Sequence, residues 1–199
     1  FRKLKYHTND LNKEIDFDMI LELSDILLSD FPFIAENISG IIRSIHIDEF
    51  QDTNEMQYAI LAKIVQKNSR INVVFVGDVN QAIYGSLGGI AKTTDVLAKQ
   101  FGIVFKDDCL TGCYRSTQRI VDYYTNFEVA VTGVKSLSNN RNVHGVIAYD
   151  STISRDALSQ RIADIINDQL SLGVPAREIC VVAPQWFQIY PIAKCLREK

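Results

Sequence analysis

Apolar residues recur along this chain with two periods, and the switches between them sketch alternating helices and strands. Phe17, Ile20, Leu21, Leu23, Ile26, Leu27 and Leu28 fall at helical spacing and predict an amphipathic helix. Ile41, Ile42, Ile45 and Ile47 then read as a buried parallel strand, because so continuous an apolar run suits a sheet covered on both faces. Residues 54 to 67 return to helical spacing with Met56, Ile60, Leu61, Ile64 and Val65, and the β-branched run 71 to 76 predicts a second strand. Strand, helix, strand in that order predicts a right-handed parallel crossover. Further on, the pattern predicts a short strand near 103 to 105, a helix through Ile120, Val121, Tyr124 and Phe127, and a strand near 143 to 149. A helix from 155 to about 172 follows, ended by Gly173 and Pro175, then a strand at 179 to 183 and a helix near 189 to 196. The polar run 136 to 142 reads as a surface loop. The whole predicts an α/β fold of parallel sheets flanked by helices.

Three polar interruptions carry the candidate chemistry. The first strand ends on Asp48-Glu49-Phe50-Gln51-Asp52-Thr53-Asn54, and ligands gather where parallel strands end. Two adjacent carboxylates there suit magnesium-nucleotide chemistry: side chains alternate, so one faces a hydrated Mg²⁺ while the other points towards an attacking water. A plainer alternative makes Asp48 and Glu49 a helix N-terminal pair, with Asp52 or Thr53 capping the helix. The second strand ends on Gly77-Asp78-Val79-Asn80-Gln81-Ala82-Ile83-Tyr84-Gly85, and the crossover sets that loop beside the first. The third segment, Leu110-Thr111-Gly112-Cys113-Tyr114-Arg115-Ser116-Thr117, opens a helix whose Arg115 is placed to reach a phosphate.

In this order and spacing, the three segments resemble superfamily 1A DNA helicases of the UvrD/Rep/PcrA type. Asp48-Glu49-Phe50-Gln51-Asp52-Thr53 is similar to the family's Walker B motif, the 77–85 string to its motif III and Tyr114-Arg115-Ser116 to its motif IV. Ile15-Asp16-Phe17-Asp18 is similar to the family's approach to Walker B, so the resemblance spans nearly the whole chain. It implies a RecA-like P-loop NTPase motor, with residues 1–108 the distal part of a first RecA-like (1A) domain and 109–199 the start of a second (2A). ATP would lie in the cleft between them, with a hinge near 107 to 112. It further implies that Asp48 holds Mg²⁺, Glu49 is the general base on the hydrolytic water and Gln81 senses the γ-phosphate. Tyr114 would stack on adenine, and Arg115 would be the arginine finger. Tyr84 would present an aromatic face to single-stranded DNA. Movement 3′ to 5′ on single-stranded or partly duplex DNA completes what the resemblance implies. Outside the motifs, the same Tyr84 and Tyr114 would read as half-buried core tyrosines and Arg115 as a helix-terminal surface charge.

Departures qualify the likeness. Ser86 and Leu87 stand where the family has an aromatic residue and an arginine on the DNA track, and Cys113 replaces an asparagine. No Gly-x-x-x-x-Gly-Lys-Ser/Thr loop occurs; the stretch 86 to 93 imitates one but has Ser86 and Ala91 where glycines are required. The family's last two motifs are also missing. The chain is therefore expected to be a fragment that needs the remaining helicase segments or subunits and is inactive alone as an ATPase. Other readings are the helicase part of a RecB/AddA-like helicase-nuclease and a non-catalytic DNA-binding or protein-docking module.

Composition changes this little. The 199 residues are 47% hydrophobic with net charge −3, enough for one fair core or two small ones and no basic patch. Cys109, Cys113, Cys180 and Cys195 form no Cys-x-x-Cys pair, which argues against zinc, and Cys180 and Cys195 are expected to be buried reduced thiols, which points to a cytoplasmic compartment. No apolar run reaches the roughly 20 residues a membrane span needs.

Overall fold

The computed structural model describes residues 15–85 and 88–197, and packing divides the chain into two compact units, Phe1–Gly145 and Val146–Lys199. In the first unit, Asp16 starts helix α1 (Phe17–Asp30) by accepting the Met19 N–H at 2.9 Å. Phe31, disfavoured in the helical region by the proline after it, sits at φ −127°, ψ 74° and ends α1; Pro32 opens α2 (Pro32–Ile41). Strand β1 (Ser44–Ile47) comes next. Helix α3 (Glu55–Val65) opens on a reciprocal capping box, in which the Asn54 side chain accepts the Gln57 N–H and the Gln57 side chain accepts the Asn54 N–H, both at 2.9 Å. Strand β2 (Asn72–Phe75) pairs with β1 in parallel, from Ser44 opposite Asn72 to Ile47 opposite Phe75.

The expected strand, helix and strand with parallel pairing are thus present, but the first strand is shorter and less covered than predicted. Ile41 belongs to α2 as its last residue and is 83% exposed. In β1 and β2 only alternate residues turn inward: Ile45, Ile47, Val73 and Phe75 are half-buried while Ser44, His46, Asn72 and Val74 are exposed. One face of this pair packs on helices and the other is open, as the polar Ser44 and His46 allow.

The core beneath the inward face gathers Leu28, Ala35, Tyr58, Ala62, Val65, Ile71 and, from α4 (Thr94–Phe101), Leu97 and Phe101. Phe75 is its hub. Its ring lies 5.4 Å from Phe101, 5.5 Å from Phe105, 5.9 Å from Tyr58 and 6.2 Å from Phe50. Such aromatic pairs add about 0.5–1.5 kcal/mol each beyond area burial, and Phe75 and Phe50 tie the core to the loop after β1. Helix α1 contributes less to it than its apolar stripe promises: Leu28 is buried, while Ile20, Leu23, Ile26 and Leu27 stay exposed and line a groove of ≈ 380 Å³ with Ile15 and Phe31.

The strand expected at 103 to 105 is not formed. Its alternation is realised, since Ile103 and Phe105 pack on the core and Val104 is 96% exposed, but no neighbouring backbone completes a ladder among the described residues. A different short parallel pair follows, β3 (Gly112–Cys113) with β4 (Lys135–Ser136). Ser136 is therefore a buried strand residue and not loop, its hydroxyl donating to the Ser116 carbonyl at 2.6 Å. The helix of the third segment, α5 (Gln118–Tyr124), buries Val121; residues Thr125–Phe127 form one 3₁₀ turn that leaves Phe127 exposed.

In the second unit, α6 (Arg155–Ser171) starts on Ser154, which accepts the Ala157 N–H at 3.3 Å, and packs against α7 (Trp186–Arg197) around Ala163 and Ile192. Gly173, at φ 87°, turns the chain after α6 as predicted. The strands expected at 143 to 149 and 179 to 183 are irregular, with Val146, Tyr149 and Val182 exposed. Cys180 is consequently exposed and Cys195 half-buried, against the expectation of buried thiols. No helix among the described residues is long and apolar enough to cross a membrane.

Candidate functional site

β1 runs out at Ile47, and the chain turns sharply through the two carboxylates. Glu49 has φ 49° and ψ 47°, the only left-handed non-glycine residue among those described. A side chain there costs about 1–2 kcal/mol, so the surroundings must hold it. They do so with several bonds. Asp48 Oδ1 accepts the Glu49 N–H at 3.0 Å, residues Phe50–Asp52 close a 3₁₀ turn, and the Phe50 N–H extends the sheet ladder to the Val76 carbonyl at 3.1 Å. Asp48 and Glu49 are thus strand-end residues. The helix N-terminal alternative fails, because α3 is capped by Asn54 and neither Asp52 nor Thr53 serves.

Gln51 ties this turn to the loop after β2. It is 2% exposed; its Nε2 donates to Glu49 Oε2 at 2.6 Å, and its Oε1 accepts the Asp78 N–H at 3.1 Å. Gly77 makes room for it: a Cβ there would meet Gln51 Oε1 at 2.2 Å and Phe50 Cδ1 at 2.7 Å. Sequence reasoning passed over both residues, although a glutamine inside a carboxylate string and a glycine directly after a strand were visible signals.

Tyr58 supports the same turn from below. Fully buried, its hydroxyl lies 2.8 Å from the Phe50 carbonyl and 3.0 Å from the Ile90 carbonyl. Burial pushes its pKa up, against the lowering effect of the Thr53 hydroxyl. The Lys92 ammonium sits 4.7 Å over the ring and pairs with Glu55 at 2.7 Å.

In the second loop, Asp78 accepts the Asn80 N–H at 2.9 Å and the Gln81 side-chain amide at 3.0 Å. Gln81 is exposed, and its amide is therefore held beside Asp78. Asn80 reaches further, accepting the Val129 and Ala130 N–H groups at 2.8 and 2.9 Å. Tyr84 is half-exposed, with its carbonyl accepting the Gly89 N–H at 3.1 Å. Ser86 and Leu87 lie outside the described residues.

The third segment is not hydrogen-bonded to the carboxylate turn or to Gln81 among the described residues. Tyr114 is 77% exposed and Arg115 exposed, and among the described residues no hydrogen bond or ion pair joins either to Asp48, Glu49 or Gln81. Arg115 precedes α5 by more than one residue, since Thr117 is the N-cap, so it is not at the helix start proper. Its local effect falls on Cys113, whose pKa is lowered by the backbone N–H groups of Ser116 and then Arg115. Tyr124 is shifted upward, first by burial and then by Cys113, Glu128 and Asp78.

Among the described residues no group of three or more His, Cys, Asp or Glu side chains converges on one point, so those residues offer no protein cage for a metal. That donor set still fits magnesium, which takes one or two carboxylates and completes its shell with water and phosphate oxygens. Asp48, exposed at a strand end with one oxygen on the Glu49 N–H, would be the carboxylate to hold it.

Comparison with known proteins bears on the same stretch. The model of the UvrD/REP helicase N-terminal domain family matches residues 3–102, a span that holds Asp48, Glu49, Gln51, Gln81 and Tyr84. The chain is similar to the ATP-dependent DNA helicase PcrA of Leuconostoc citreum, 32% identical over 111 residues that make 56% of this chain and 14% of that protein. A probable DNA helicase II homolog of Mycoplasma genitalium is 33% identical over 112 residues, 56% of this chain and 16% of the relative. The ATP-dependent DNA helicase PcrA of Staphylococcus aureus is 28% identical over 166 residues, 79% of this chain and 22% of that protein. The matched parts thus amount to between 14% and 22% of these relatives' lengths.

Proposed function

Because this chain belongs to the UvrD/REP helicase family, we propose that it supplies part of the ATP-hydrolysing motor of a DNA helicase or translocase. The observation that carries the reading is the pair of exposed strand-end carboxylates on the loop after β1, of which Glu49 is held by Gln51. In this proposal residues 1–108 belong to a first RecA-like domain and 109–199 to the start of a second, with ATP between them and DNA as the track. Bound Mg²⁺-ATP would supply the transferable phosphoryl group and neutralise charge on its oxygens.

The chain's own residues then divide the work. Asp48 offers a carboxylate oxygen to the metal's shell. Glu49 accepts the proton of the attacking water at its carboxylate, oriented by the Gln51 amide. Gln81, from the adjoining loop, donates its side-chain N–H to a γ-phosphate oxygen once it leaves Asp78. Arg115 stabilises negative charge developing on the phosphoryl oxygens when the second domain closes, and Tyr114 stacks on the base of the nucleotide. Tyr84 meets a base of single-stranded DNA, with 3′ to 5′ movement and partly duplex substrates part of the same proposal.

The test is ATP hydrolysis by the full-length protein with and without single-stranded DNA, beside Glu49→Gln. DNA-stimulated turnover lost in that variant supports the motor. Turnover that is absent in the wild type, or indifferent to Glu49, moves the reading to a non-catalytic module, which the lack of a phosphate loop within these 199 residues would favour. For the same reason the isolated 199 residues are expected not to hydrolyse ATP.

A further inference from the structure

We infer that Gln51 is a positioning residue that makes the orientation of Glu49 depend on where the 77–85 loop sits; the inference rests on the motor reading above. The two ends of a glutamine amide have opposite hydrogen-bonding roles. A backbone N–H only donates, so the Asp78 N–H at 3.1 Å requires the Gln51 oxygen to face it. The NH₂ end is thereby aimed the other way, and it meets Glu49 Oε2 at 2.6 Å. The amide orientation is dictated by the second loop and delivered to the carboxylate of the first.

Burial and space make the link specific. With 2% of its surface exposed, Gln51 has little water with which to replace either partner. Gly77 leaves the gap its Oε1 occupies, for a Cβ would come within 2.2 Å of that atom. No hydrocarbon side chain reproduces the pair of bonds, and a glutamate would keep the acceptor for Asp78 while setting a second carboxylate against Glu49. A shift of the 77–85 loop, which also carries Gln81 and Tyr84, would therefore be transmitted to Glu49 through one buried side chain. Stimulation of hydrolysis by DNA is the observable that such a link controls.

The experiment uses the full-length protein as wild type, Gln51→Met, Gln51→Glu and Glu49→Gln, with turnover measured across ATP concentration, with and without single-stranded DNA. Positioned general bases contribute about 10²–10⁴-fold, so loss of the guide is expected to lower kcat by about 10-fold or more in both Gln51 variants. KM for ATP and affinity for DNA should stay within about twofold, and the ratio of DNA-stimulated to basal turnover should fall towards one. A merely structural role would instead move KM, DNA affinity and kcat together, and that outcome overturns the inference, as does a kcat within twofold of wild type. Gln51→Glu preserves side-chain size and the Asp78 bond, so it decides the matter if Gln51→Met fails to fold. If Glu49→Gln abolishes turnover while both Gln51 variants are unaffected, only this inference falls; if Glu49→Gln is also without effect, the motor reading falls.

Discussion

Replacing Tyr58 with phenylalanine removes one oxygen from beneath the candidate site. The hydroxyl has a single proton shared between the Phe50 and Ile90 carbonyls, at 2.8 and 3.0 Å. Phe50 keeps a second donor, the Thr53 N–H at 3.1 Å, so the loss falls mainly on Ile90. The ring, its contact with Phe75 and the Lys92 ammonium above it all remain. One net hydrogen bond plus a poorly satisfied carbonyl costs about 1–2 kcal/mol, which for a chain of this size corresponds to a midpoint shift of about 2–4 °C per kcal/mol. Thermal denaturation followed by circular dichroism reads the midpoint near neutral pH, and urea denaturation reads the free energy. The pH dependence gives a second arm. Burial holds the folded pKa of Tyr58 above its ordinary value of 10.0, so the stability contributed by its neutral hydroxyl is complete below about pH 10 and is lost as pH climbs through the folded value. One such group accounts for up to about 1.4 kcal/mol per pH unit in that window. Tyr58→Phe lacks this step and keeps the alkaline loss from Tyr124, which is also shifted upward. Equal stability of the two proteins at neutral pH, or identical alkaline slopes, would show that the hydroxyl does not support the turn in this way.

Glu49→Gly and Glu49→Ala both remove the proposed base, but glycine tolerates φ 49° and alanine does not; the glycine variant should be more stable by about 1 kcal/mol in urea, and an alanine variant of equal stability would contradict the left-handed turn. Asn54→Ala deletes the cap of α3 and should cost about 1 kcal/mol, with little change if Asn54 were not the cap. Cys113, its pKa lowered by the Ser116 and Arg115 N–H groups, should be alkylated faster by iodoacetamide at mildly alkaline pH than the more exposed Cys180; peptide mass spectrometry showing the reverse order would sink that prediction.

What is legible in the sequence divides by the range of the interaction. Caps and periodicity are local, so the helices α1, α3, α6 and α7 lie within a few residues of where their patterns place them. Strands need a partner backbone, and there the pattern overreaches. Residues 103 to 105 and 179 to 183 carry strand-like patterns without a ladder among the described residues, whereas the polar Lys135 and Ser136 find a partner in Gly112 and Cys113. Periodicity reports which side chains turn inward; it does not report whether a neighbouring strand is present. Ile41 shows the same limit at an element boundary, where four isoleucines mask the end of one helix and the beginning of the next strand.

The candidate site is legible in its carboxylates and not in what holds them. Asp48, Glu49 and Gln81 are each recognisable by residue type at a strand end, because their chemistry is a property of the side chain. Gln51, Gly77 and Tyr58 act through geometry: a buried amide bridging two loops, a missing Cβ beside it, and a hydroxyl under the turn. Yet the three follow from one constraint. A carboxylate held in the left-handed region must be fixed from outside its own backbone, and the parallel register that puts Ile47 opposite Phe75 brings the loop after β2 close enough to do it. Given that register, a short glycine-led turn after β2 and a polar side chain reaching it from the first loop are what the strain at Glu49 demands. Where two adjoining parallel strands end, a glycine after one and an amide after the other therefore mark the support of a strained carboxylate, even though neither residue carries chemistry of its own.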